Sequence, residues 1–170
     1  MARQPQTGPT REQEQLSELE LSLTVLWNSV RRWLGQRSNA SDVNGLSDLD
    51  VFLLHLLVYR NKQLRGADLA FALAVDDTHL VSYSLKKLTK LGLAVSAKKG
   101  KEVYYDATDK GRDHFVAFQI DRRKYLEPIM KMIADAGTDF EALNASLRAL
   151  SGAYEQAARS AASAKGFKQA

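Results

Sequence analysis

Between Thr78 and Lys101 the chain sets hydrogen-bonding, aromatic and cationic side chains at spacings suited to gripping a polyanion. If residues 76–91 form a helix, at about 100° per residue Val81, Leu85 and Leu88 share one narrow stripe, with Ser84 and Leu91 beside it. Opposite them, within about 60° of one another, fall His79, Tyr83, Lys86 and Lys90, with Ser82 at the edge. A helix that enters the DNA major groove needs hydrogen-bonding or aromatic groups near its start for base edges, and cations farther along for phosphates. His79, Ser82 and Tyr83 suit the first task, and Lys86, Lys87 and Lys90 the second. Thr78, in the first turn, suits a base or a phosphate. Backbone N–H groups at the helix start favour an anion. Asp76 and Asp77 oppose one there and fit better as helix caps.

The distribution of charge supports this assignment. From Lys86 to Lys101 the chain carries Lys86, Lys87, Lys90, Lys98, Lys99 and Lys101 and no acidic residue, a local charge of +6 against +4 for all 170 residues. An isolated lysine-bearing helix face is usually just solvated. Here the basic residues gather at one helix and at the tip of the hairpin that follows it. Arg60, Lys62 and Arg65 lie close enough in sequence to extend the patch.

The elements that must position these groups follow from periodicity. Leu16, Leu19, Leu23, Leu26, Val30 and Trp33 recur at alternating intervals of three and four, which predicts a helix over 13–34 with a heptad seam, ended by the polar stretch 35–45. Ser47 with Asp50 predicts a capped second helix, with Leu46 stapled onto Val51. A short connector, 62–65, leads to a third helix near Ala67, and a tight turn separates it from the helix opened by Val75-Asp76-Asp77 and stopped by Gly92. Leu93, Val95 and Ala97 alternate with other residues, as do Val103, Tyr105 and Ala107, which predicts a hairpin around Gly100. Thr108 then caps a long helix to about Ala134, with a kink at Pro128, and Thr138-x-x-Glu141 is a capping box for a last helix. On that helix Phe140, Leu143, Leu147, Leu150, Tyr154 and Ala157 form a second seam. The two seams, under three heptads each, suit a helical dimer interface made by Leu16, Leu19, Leu23, Leu26 and Val30 with Phe140, Leu143, Leu147, Leu150 and Tyr154.

Other chemistry has little foothold. There is no cysteine, which excludes disulfides and zinc–thiolate sites. His55, His79 and His114 are far apart, and none has a second histidine at helical metal-site spacing. His55 fits a packed helix position and His114 the surface, and Trp27 and Trp33 fit core or dimer contacts, with a ligand-lining role the lesser alternative. No nucleophile elbow, phosphate loop or dinucleotide fingerprint occurs. No catalytic residue, metal or cofactor is expected, nor an enzyme. The polar start and the shortness of the apolar run 51–59 argue against a signal peptide or membrane span, so a cytoplasmic protein is expected.

Taken together, the order helix, helix, short strand, helix, recognition helix, hairpin, long helix resembles the MarR family of winged helix-turn-helix transcriptional regulators. The resemblance is carried by Leu46-Ser47, Asp68-Leu69-Ala70, Leu88-x-x-Leu91-Gly92-Leu93 and Thr108-Asp109-Lys110-Gly111. It implies a mainly α fold with a small β-hairpin wing and long helical dimerisation arms. It also implies a homodimer on a palindromic or pseudo-palindromic double-stranded DNA operator, and in many members a response to a small aromatic effector. The resemblance places the wing in the adjacent minor groove, but the family's Asp-x-Arg at its tip is replaced by Lys98, Lys99, Gly100 and Lys101. The basic wing at 98–102 is therefore expected on the backbone or in the minor groove, where its lysines anchor phosphates and lack the arginine fork that reads sequence. The expected layout is a disordered tail at 1–12, a single domain at 13–159 and a mobile tail at 160–170. Within that domain 46–107 is the DNA-binding lobe, and 13–35 with 108–159 the dimerisation region. The competing function is a winged-helix module that binds protein or RNA.

Overall fold

The computed structural model describes residues 8–39 and 43–166. The elements are α1 (Arg11–Asn39), α2 (Asp48–Arg60), β1 (Leu64–Arg65), α3 (Gly66–Ala72), α4 (Thr78–Lys90), β2 (Ala94–Lys99), β3 (Glu102–Ala107), α5 (Asp109–Tyr125), α6 (Glu127–Asp135) and α7 (Phe140–Gly166). They form two compact units that divide within α5, after Phe118. The expected tails at 1–7 and 167–170 lie outside the described residues, whereas 11–12 and 160–166, also expected in tails, are helical.

In the first unit the core is built on Leu53, Leu54, Leu57, Leu69, Val81, Leu85, Leu88 and Leu93, all fully buried. The stripe of α4 points inward, with Ser84 buried beside it. Helix α2 begins as its sequence predicts. The Ser47 hydroxyl accepts the Asp50 N–H at 3.2 Å, and Asp50 Oδ2 accepts the Ser47 N–H at 2.8 Å. Leu46 and Val51, the staple, are both buried. Helix α1 does not stop at Gly35. It runs on to Asn39, and the turn that carries Gly35 also carries Trp33 and Leu34, which pack into the core. That burial offsets the roughly 1 kcal/mol that a helical glycine costs.

Helix α3 ends in a left-handed residue, Ala74 (φ 50°), whose N–H reaches the Phe71 carbonyl while the Val75 N–H reaches that of Ala70. This is a Schellman-type end, with alanine where glycine is usual. The three strands pair in the order β1-β3-β2, all antiparallel. Lys99 pairs with Glu102 across the two-residue turn Gly100-Lys101, and Gly100 (φ 64°) takes the first turn position that favours glycine.

The phase of β2 differs from the expected one. Ala94 is buried, whereas Val95 is 50% exposed and sits opposite Asp106, so Val95 and Ala97 lie on the solvent side. Leu93 is buried before the strand begins, and the one-residue step between it and Ala94 shifts the alternation.

The hairpin is clamped to α5 at its base. The Thr108 hydroxyl donates to the Gly92 carbonyl at 2.6 Å and accepts the Gly111 N–H at 3.1 Å, while Lys110 Nζ donates to the Leu91 carbonyl at 3.0 Å. A Cβ on Gly111 would collide with the Leu93 carbonyl oxygen, so only glycine allows this approach. His55 packs edge-on to Phe115 and Phe118, with ring centroids 4.9 and 4.5 Å away. His114, expected at the surface, is half buried. Burial, with Arg37 and Lys110 nearby, pushes its pKa down.

The helical run expected from Thr108 to Ala134 is two helices. Pro128 has no N–H and its ring crowds the carbonyl four residues back, so the chain breaks at Leu126 and restarts with Pro128 in the first turn of α6. Helix α7 is capped by Asp139, not by Thr138: Asp139 Oδ1 accepts the N–H groups of Glu141 and Ala142 at 2.9 and 3.1 Å.

Candidate nucleic-acid interface

Helix α4 presents the expected face. Thr78, His79, Ser82, Tyr83, Lys86 and Lys90 are all exposed, opposite the buried Val81, Ser84, Leu85 and Leu88, and Tyr83 is 70% exposed. The start of the helix is closed by Asp77, whose Oδ1 accepts the N–H groups of His79 and Leu80 at 2.9 and 3.4 Å. Those amides, expected to favour an anion, already hold a carboxylate. An incoming phosphate at this helix must therefore be met by side chains.

Lys87 does not join the exposed face. Its Nζ donates to Asp50 Oδ2 at 2.7 Å and to the Gly45 carbonyl at 2.5 Å. The phosphate contact expected of it gives way to a structural one, because a buried carboxylate requires a counter-charge. Burial pushes the Asp50 pKa up, but Lys87, the Ser47 N–H and the Ser84 hydroxyl outweigh it and hold the group ionised below the ordinary range. The pair fastens α4 to the first turn of α2, and so fixes the angle at which the exposed face is presented.

The wing carries Lys98, Lys99 and Lys101, all exposed. Alternation along β2 sends Lys98 and Lys99 to opposite faces of the hairpin, with Lys101 in the turn. Lys99 Nζ lies over the Tyr104 ring, 5.2 Å from its centroid. Arg65, a candidate extension of the basic patch, is occupied. It grips Asp68 through Nε and Nη2 at 3.0 and 2.8 Å and reaches Glu102 through Nη1 at 2.8 Å. The Tyr104 hydroxyl completes the set by donating to the other Glu102 oxygen at 3.0 Å. The Arg65 guanidinium holds Asp68 at a pKa of about 2 and lowers that of Glu102, and Glu102 in turn raises that of Tyr104. Sequence reasoning passes over Glu102 and Tyr104. The trace of part of this network is visible: Asp68 stands three residues after the N-cap Arg65, the spacing of a capping box.

Arg60 and Lys62 are exposed at the end of α2 and just beyond it. Among the described residues no group of three or more His, Asp or Glu side chains could hold a metal ion, and no helix is long and apolar enough to cross a membrane.

The expected dimer residues divide by burial. On α1, Leu16 and Leu26 are exposed and Leu19, Leu23 and Val30 half buried, with Val30 packed on the core. On α7, Leu143 and Tyr154 are exposed and Phe140, Leu147 and Leu150 half buried. Helix α6 adds Ile129, Met130, Met132 and Ile133, all exposed.

Comparison with known proteins agrees with this geometry. A family described as a winged helix DNA-binding domain matches residues 46–111. No curated protein matches the chain in sequence. Among solved structures, a MarR family regulator from Neisseria meningitidis is similar at a TM-score of 0.68 and 17% identity, over 84% of this chain and 95% of that one. The transcriptional regulator BldR from Sulfolobus solfataricus is similar at a TM-score of 0.64 and 20% identity, over 84% and 99%. FabT from Streptococcus pneumoniae, solved in complex with DNA, is similar at a TM-score of 0.55 and 18% identity, over 82% and 95%. Residues 46–111 thus match the winged helix DNA-binding domain family, and the chain has the fold of the MarR family regulators.

Proposed function

We propose that this protein is a homodimeric transcriptional regulator that binds a palindromic or pseudo-palindromic site in double-stranded DNA. Helix α4 enters the major groove and the wing lies on the adjacent backbone or in the minor groove. The observation that carries this is the single exposed face of α4, where Thr78, His79, Ser82, Tyr83, Lys86 and Lys90 stand together opposite a fully committed apolar stripe. His79, Ser82 and Tyr83 are the base-reading groups, and Lys86, Lys90 and the wing lysines carry phosphates. The uncovered apolar residues of α1, α6 and α7 support self-association, since such rows in water favour a partner surface. A binding protein of the cytoplasm, with no catalytic role, accounts for every site described. Control by a small aromatic effector is compatible with the fold, though no residue is assigned to it.

Selection of duplexes from a random pool tests this proposal. The wild type should enrich inverted half-sites about one helical turn apart, roughly 10 base pairs centre to centre. Tyr83→Ala and His79→Ala should each cost about 1–3 kcal/mol on the selected site and relax base preference. An enriched pool without any symmetry, or one unchanged by both substitutions, would favour the protein- or RNA-binding alternative.

A further inference from the structure

Glu102 stands between Lys101 and Val103, the one acid at the tip of a wing whose other charges are lysines. An acid there repels a phosphate backbone unless it does something else. In the structure both of its oxygens are used: Oε1 accepts from Arg65 Nη1 at 2.8 Å and Oε2 from the Tyr104 hydroxyl at 3.0 Å. Arg65 is itself held, gripping Asp68 in the first turn of α3 with two further nitrogens.

The position of this chain of interactions is its consequence. Strand β1 is two residues long and pairs with β3 only at Leu64↔Tyr105 and Arg65↔Tyr104. The base of the hairpin is fixed by the buried Ala94 and Ala107, but beyond Tyr104 the strands 98–103 are exposed on both sides. The Arg65 guanidinium reaches two residues past the last β1 pair, to the strand end beside the turn. Among the described residues, it is the ion pair that ties the distal wing back to a helix. A two-stranded ribbon without support bends and twists readily, so the direction of Lys98, Lys99 and Lys101 depends on that tie.

Resting on the DNA-binding function proposed above, we infer that Glu102 and Arg65 are positioning residues for DNA: the acid supports binding by aiming the wing lysines through Arg65. The neutral isostere, glutamine, separates this from simple electrostatics. Glu102→Gln removes a negative charge close to the DNA, and if charge alone mattered it would tighten binding and steepen the salt dependence. Positioning predicts the reverse, a loss of up to about fivefold per wing with a flatter plot of log affinity against log salt. Arg65→Gln should give the same pattern. The side chains are exposed, so both variants should keep the wild-type melting temperature to within a few degrees, as circular dichroism would check.

A DNA-free readout accompanies this. Trypsin cuts after lysine, and cleavage at Lys98, Lys99 and Lys101 of the native full-length protein should be faster in Arg65→Gln, which leaves the wing's own sequence unchanged, than in wild type. Tighter DNA binding by Glu102→Gln, or unchanged wing cleavage in Arg65→Gln, would overturn the inference. Absence of salt-dependent binding of any duplex by the wild type would instead overturn the function on which it rests.

Discussion

Lys87 Nζ lies 2.7 Å from Oδ2 of Asp50, whose side chain is 1% exposed, while Lys86, one residue earlier, is in solvent. Two adjacent lysines of one helix thus do different work. Lys87→Met leaves a buried carboxylate without its counter-ion and should cost about 3 kcal/mol of stability. Lys86→Met should change stability by less than about 0.5 kcal/mol and weaken DNA binding instead. Urea denaturation and DNA titration of both variants check the assignment, and equal stability losses would contradict it.

Acid should reach the same pair. The folded-state pKa of Asp50 lies below its ordinary value, because Lys87, Ser47 and Ser84 outweigh the upward push of burial. A depressed carboxylate pKa contributes stability above the unfolded value of about 3.9, and that contribution is lost as pH falls through the folded value. Asp50→Asn should therefore be less stable than wild type at neutral pH and lose less stability between about pH 5 and pH 2. Parallel acid profiles for the two proteins would contradict this.

Glycines at 111 and 152 should respond with opposite signs to the same change. At Gly111 a Cβ collides with the Leu93 carbonyl oxygen, whereas at Gly152 nothing lies within 4 Å. Gly111→Ala should destabilise by about 3 kcal/mol or more, since backbone must move. Gly152→Ala, in a helix, should stabilise by about 0.5–1 kcal/mol. Thermal melts of the two variants give the comparison directly.

Self-association is expected to depend on both seams. Leu23→Asp on α1 and Leu147→Asp on α7 each place a charge among apolar side chains, and each should shift a micromolar wild-type dimer to monomer or unfold it. Sedimentation velocity with circular dichroism separates these two results. A wild-type monomer at that concentration would contradict the dimer.

Much of this architecture is legible in the sequence because its causes are local. The Ser47–Asp50 box, the α4 stripe from Val81 to Leu88, and the Asp77 cap are all set within a few residues of one another. What cannot be read there depends on partners distant in sequence. Lys87 and Asp50 are 37 residues apart, as are Arg65 and Glu102. Spacing alone makes both cations basic-patch residues, and only folding assigns them carboxylates. The continuation of α1 past Gly35 has the same origin, since burial of Leu34 in a distant core overrides a local stop signal. Simple alternation puts Val95 inward for a different reason: two apolar neighbours, Leu93 and Ala94, leave the pattern ambiguous by one residue, and one residue inverts a strand's faces.

The most direct test of a wing that anchors and a helix that reads is the salt dependence of DNA affinity for a variant with Lys98, Lys99 and Lys101 all changed to Gln. Affinity should fall by a similar factor on the selected site and on random duplex. The slope of log affinity against log salt should flatten by about 0.9 for each phosphate that the dimer no longer neutralises. A triple variant with wild-type affinity and wild-type slope would contradict the account.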